Sequence, residues 1–131
     1  MTEEDTTLLI QFLKNRIQYD RQATTAAANT HPGAWKANAT TVYADEGTML
    51  AETVHRPTAE HVADWQPGRV FSEVESKRRI VELFTTIDPA ESADSDTASA
   101  GAYETMLAVL RLMAAAYVDH PDYRAEWAPS A

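Results

Sequence analysis

Leu9, Phe12, Leu13 and Ile17 fall on one helical stripe, with polar residues between them. That spacing predicts a first helix, with Thr6 or Thr7 as its cap. The helix runs on through Tyr19 and Gln22 into the alanine-rich 23–28 stretch, and His31-Pro-Gly33 stops it. The pattern then changes period. Trp35, Ala37, Ala39 and Thr41 alternate with polar positions, which predicts a strand from Trp35 to Tyr43. Asp45-Glu-Gly47 supplies a turn, and Thr48 to His55 returns to complete a β-hairpin.

Helical spacing resumes after Arg56-Pro-Thr58, with Thr58 as the expected cap of a short helix from Ala59 to about Trp65. Pro67 suits the first position of a long helix reaching about Ile87, because its missing N–H is unpaired there in any case. Val70, Val74, Val81 and Phe84 form its apolar stripe, and Glu73/Lys77 and Glu75/Arg79 are i,i+4 pairs. Residues 88–101 carry four acids and no base among Ser, Thr and Ala, which predicts a flexible acidic loop. A last helix is expected from about Ala102 to Val118, with Met106, Leu107, Leu110, Met113 and Tyr117 inward. The segment Tyr117-Val-Asp-His-Pro-Asp-Tyr-Arg-Ala-Glu-Trp127 holds three aromatics in eleven residues, too apolar for a free tail, so it should dock.

These elements predict one domain over residues 1–131, α+β and helix-dominated: helix, β-hairpin, short helix, long helix, acidic loop, helix, docked C-terminal tail. The long helices should pack together, with the hairpin covering one side. At 131 residues the chain can bury a core without staples, and with no Cys it has neither disulfides nor a thiolate nucleophile. The acidic start lacks the basic and apolar regions of a secretory signal, and Met106–Val118 is too short to span a bilayer, so a cytoplasmic protein is expected.

Charge sharpens the picture. The net value of −9 divides into −4 over residues 1–66, +1 over 67–87 and −6 over 88–131. A phosphate-backbone binder needs a basic face, so direct nucleic-acid binding is disfavoured and a basic protein surface is the expected partner. No phosphate loop, nucleophile elbow or His-Glu-x-x-His helix occurs, which argues against an enzyme and gives no cofactor.

Three sets of residues could carry function. Trp35, Trp65 and Trp127, with Tyr123, could form a recognition surface, although a buried tryptophan is the commoner case. Arg78, with Glu73 and Lys77, could grip an anionic group. In the plainer reading Arg78 or Lys77 pairs with tail acids Asp119, Asp122 or Glu126. His61 and Asp64, one helical turn apart, could meet His120 in a metal site, against the plainer reading of hydrogen bonds at element ends.

Four segments bear a resemblance to a family. They are Pro32-Gly-Ala-Trp35, His61-Val-Ala-Asp-Trp-Gln-Pro-Gly-Arg-Val70, Glu73-Val-Glu-Ser-Lys-Arg-Arg-Ile80 and the Tyr117–Trp127 segment. In this order they resemble an uncharacterised family of small proteins, a domain of unknown function found in actinobacteria and their phages. Members often have His-Asp-Pro where this chain has Trp65-Gln66-Pro67, so a poorer cap replaces the Asp. The resemblance implies an actinobacterial host and a phage or prophage origin, and no activity. The expected function is therefore a non-enzymatic acidic protein-interaction module acting on a host protein. Metal or small-ligand binding and self-association into a structural component stay open beside it.

Overall fold

The computed structural model describes residues 1–45, 47–87 and 97–129. Helix α1 spans Glu3–Thr30, α2 Arg56–Asp64, α3 Pro67–Thr85 and α4 Thr97–Ala115. Strands β1 Lys36–Asn38, β2 Thr41–Tyr43 and β3 Met49–Glu52 form one antiparallel sheet in that order, and a 3₁₀ turn covers Ala125–Trp127. The fold is helix-dominated α+β, as the periodicities require. No helix among the described residues is long and apolar enough to cross a membrane.

Helix α1 starts earlier than Thr6. Thr2 Oγ1 accepts the Asp5 N–H at 3.1 Å and Asp5 Oδ2 accepts the Thr2 N–H at 3.0 Å, a reciprocal capping box. Thr6 and Thr7 lie inside the helix and donate their hydroxyls to the carbonyls of Thr2 and Glu3. Helix α2 likewise begins at Arg56, with His55 as N-cap and Pro57 in the first turn, so Thr58 is not its cap. Pro67 opens α3 as expected.

The expected hairpin is a three-stranded sheet. Its first strand folds back on itself at Ala39-Thr40, pairing Asn38 with Thr41 and Lys36 with Tyr43. Ala39 takes φ +56, a left-handed conformation that alanine seldom adopts. Strand β2 then pairs with β3 through a bulge at Val42/Tyr43. Helix α4 also begins upstream of the expected Ala102, so the last residues of the predicted acidic loop are helical. Residues 88–96 of that loop lie outside the described residues.

The described residues cluster into two compact units, one from Met1–Ile17 with Ser76–Ala131 and the other from Gln18–Glu75. In the second unit Val42, Ala59 and Ala63 are buried, and Trp35, Ala37, Leu50, Ala51 and Val62 pack on them. Gly33, at φ +84, passes close to this sheet, where a Cβ would stand 2.6 Å from that of Asp45. Gln66 Oε1 accepts the Trp35 main-chain N–H at 3.2 Å, which joins the Pro-Gly-Ala-Trp segment to the start of α3. In the first unit Leu9, Phe12, Leu13 and Ile17 of α1 are buried, as are Val81 and Phe84 of α3 and Leu107, Leu110 and Ala114 of α4.

Candidate functional site

The docked tail is built by a run of tight turns. Beyond α4, Tyr117 N–H reaches the Ala114 carbonyl at 2.9 Å, and His120 N–H reaches that of Tyr117 at 2.9 Å. Tyr123 N–H then bonds to the His120 carbonyl at 3.0 Å and Trp127 N–H to that of Arg124 at 3.0 Å. Pro121 lacks an N–H, and Asp122 donates its own to His120 Nδ1 at 3.1 Å. The His-Pro-Asp sequence therefore closes a turn, and His120 Nδ1 serves there as an acceptor.

This backbone aims the tail rings at α1. Phe12 is the hub, with ring centroids 6.1 Å from Tyr117, 5.5 Å from His120, 6.1 Å from Tyr123 and 5.1 Å from Trp127. Most of these pairs are edge-on, the favoured geometry for aromatic quadrupoles. Trp127 is only 1% exposed, the largest fully buried side chain described. It anchors the tail and so presents no recognition surface. Arg111 of α4 holds the segment from the other side, donating from Nε to the Trp127 carbonyl at 3.2 Å and from Nη2 to the Ala128 carbonyl.

Arg111 is a residue that the sequence reading passed over, although it interrupts the apolar run from Met106 to Val118. A lone guanidinium in such a run is the available signal, since its five donors need acceptors when partly buried. The expected partners play different parts. Lys77 Nζ sits 5.6 Å from the Tyr117 ring centroid, and Arg78 pairs with Glu82 at 3.0 Å on the outer side of α3.

Between the first half of α1 and the tail lies a recess of about 380 Å³. Phe12, Tyr123 and Trp127 give it aromatic walls, Arg16 and Arg124 bring positive charge, and Asp122 is the one acid in its lining. Gln11 Nε2 donates to Asn15 Oδ1 at 2.9 Å, which ties two lining amides into a polar strip. The Trp127 indole N–H is buried and has no acceptor among the described residues. Such a group costs about 1–3 kcal/mol unless something supplies an acceptor.

The other candidates are dispersed. Trp35 is half-buried and donates Nε1–H to the His31 carbonyl at 3.1 Å. Trp65 is 43% exposed, with the Arg69 guanidinium 4.3 Å from its ring centroid and the His61 ring at 6.2 Å. His61 and Asp64 belong to the second unit and His120 to the first. Among the described residues no group of three or more His, Asp or Glu is placed to hold a metal ion.

One further surface stands out by its lack of charge. The solvent side of α4 presents Gly101, Ala102, Glu104, Thr105, Ala108 and Leu112, with Leu112 itself 61% exposed. The solvent side of α3 instead carries Arg69, Glu73, Arg78, Arg79 and Glu82.

The model of a family of unknown function, DUF6221, matches residues 6–129, so the chain belongs to that family. No curated protein and no solved structure gave a match.

Proposed function

Starting from membership of a family to which no activity attaches, we propose that the chain is a non-enzymatic, acidic protein-interaction module. Its partner is a host or cognate protein with a basic surface around an apolar patch. From the resemblance to proteins of actinobacteria and their phages, we place its origin in a phage or prophage and its action in the host cytoplasm. The proposal assigns it no cofactor and no direct contact with nucleic acid or membrane.

The observation that carries this reading is the outer face of α4. A helix face with one charge among Gly101, Ala102, Glu104, Thr105, Ala108 and Leu112 is unusual on a chain of net charge −9. Leu112, 61% exposed, is its one large apolar side chain, and the small residues beside it leave room for a partner's apolar patch. The −6 charge of residues 88–131 surrounds it in sequence with acids, which would steer a basic partner. Self-association is the second reading, since a face of small residues also fits a copy of itself.

The test places a photo-crosslinking amino acid at Ala108 and exposes the protein to actinobacterial lysate, with Leu112→Glu as control. One host protein crosslinked by the native face and lost in the control supports the module. A crosslinked homodimer, with a concentration-dependent mass in solution, supports self-association. A monomer without a crosslink refutes both.

A further inference from the structure

We infer that the open edge of β3 takes up a short extended segment of a basic partner protein as an added strand of the sheet. This surface belongs to the second compact unit and shares no residue with the outer face of α4. In the sheet order β1-β2-β3 no described strand lies beyond β3. Thr53 N–H bonds to the Thr40 carbonyl at 2.8 Å on the β2 side. Main-chain groups alternate along an antiparallel ladder, so the N–H and C=O of Glu52 point outward, where an added strand meets them. The opposite edge is less suited. Strand β1 begins at Lys36, a charge that discourages pairing, and α2 packs against that strand.

The side chains define what fits. The bulge sets two residues of β3 against one of β2, and Leu50 and Ala51 both pack on the core of Val42, Ala59 and Ala63. Met49 is left beside Tyr43 and Glu52 beside Thr41 on the other face. Met49 is 57% exposed, Glu52 is exposed, and Val54 just beyond the strand is 84% exposed. The edge thus reads apolar, acid, apolar. Residues 37–55 hold three acids and neither Lys nor Arg. The complement is a segment that reads apolar, basic, apolar at alternate positions. A second copy fits poorly. Glu52 opposite its own copy brings like charges together, and a shifted register sets it against Met49 or Val54. A four-residue, bulged strand accepts only a short segment and does not template a growing sheet.

The experiment titrates the isotopically labelled whole protein, at low salt, with acetyl-Val-Thr-Lys-Thr-Val-amide. Two control peptides carry Glu in place of Lys, or an N-methyl group on the lysine main-chain nitrogen. Proton–nitrogen correlation spectra follow the amides of Met49–Val54. The expected result is a saturable shift of those amides, with millimolar or tighter affinity. Both controls should bind at least about fivefold more weakly, one through like charge and the other through a lost main-chain bond. Glu52→Lys, checked for folding by circular dichroism, should reverse the preference between the Lys and Glu peptides. No saturable shift at β3 overturns the proposal, as does equal binding of the Lys and Glu peptides or of the N-methylated peptide and its parent. A shift of the same amides on concentrating the protein alone also overturns it, and gives the edge to a second copy.

Discussion

Replacing Trp127 by alanine tests whether the tail is part of the fold or only lies on it. The side chain is 1% exposed, so nearly all its surface is at stake. An indole of about 150–250 Å² at roughly 25 cal/mol per Å² corresponds to about 4–6 kcal/mol of burial. Partial collapse around the vacancy brings the expected loss to about 3–5 kcal/mol, the usual cost of removing a buried aromatic. The substitution also removes the buried indole N–H, which has no acceptor among the described residues and costs about 1–3 kcal/mol while it stays so, and this places the loss toward the lower end of that range. The melting temperature should fall by roughly 10–20 °C for a chain of this size. Denaturant titration followed by circular dichroism gives the magnitude. Amide exchange over Leu9–Ile17 shows whether the loss is felt at Phe12. Trp65→Ala is the control, since that ring is 43% exposed and has the Arg69 cation 4.3 Å away. It should cost less than about 1 kcal/mol. If Trp127→Ala cost no more than Trp65→Ala, the account of the tail as an anchored element would be wrong.

Three further outcomes follow from single contacts. Arg111→Met keeps the apolar stem and removes the bonds to the Trp127 and Ala128 carbonyls, so thermal melts should show a loss of about 1–3 kcal/mol. Gly33→Ala and Gly47→Ala share the strain of φ +84 and +88, but only at Gly33 does the new Cβ meet another, 2.6 Å away on Asp45. Gly33→Ala should therefore be the more destabilising, and equal melting temperatures would contradict the close approach. The Thr2 backbone N–H, and then its hydroxyl, hold the Asp5 carboxyl below its ordinary value of 3.8. A carboxyl depressed on folding contributes stability above its unfolded value and loses it as pH falls through the folded one. Exchange of the first-turn amides of α1 should thus quicken relative to the rest of the helix as pH drops below about 4, and Asp5→Asn should flatten that dependence.

The helices were legible in the sequence wherever apolar residues marked their period. Leu9, Phe12, Leu13 and Ile17 define α1, and Val74, Val81 and Phe84 define α3 because burial selects for them. The start of α4 was hidden because Thr97-Ala-Ser-Ala-Gly-Ala102 offers small residues and a glycine in place of a stripe. The turn at Ala39-Thr40 carries no glycine to announce its positive φ, so two strands read as one. The Thr2–Asp5 capping box lies a turn ahead of the apolar run, where Thr6 and Thr7 looked like better caps. At the site, aromatic density pointed to Tyr123 and Trp127. Arg16 and Arg124 look like ordinary surface cations until tertiary structure brings them beside one recess.

The pairing of Phe12 with Trp127 also has a consequence for how the chain is made. Phe12 leaves the ribosome early, and its ring partners follow more than a hundred residues later. At usual elongation rates that interval is on the order of ten seconds. During it Phe12 has no tail rings to cover it, whereas residues 18–75 already hold every strand of their sheet together with α2. A nascent chain stalled before the tail would therefore carry an ordered middle and an open, sticky beginning. That is the stage at which a chaperone, or premature aggregation, would find it.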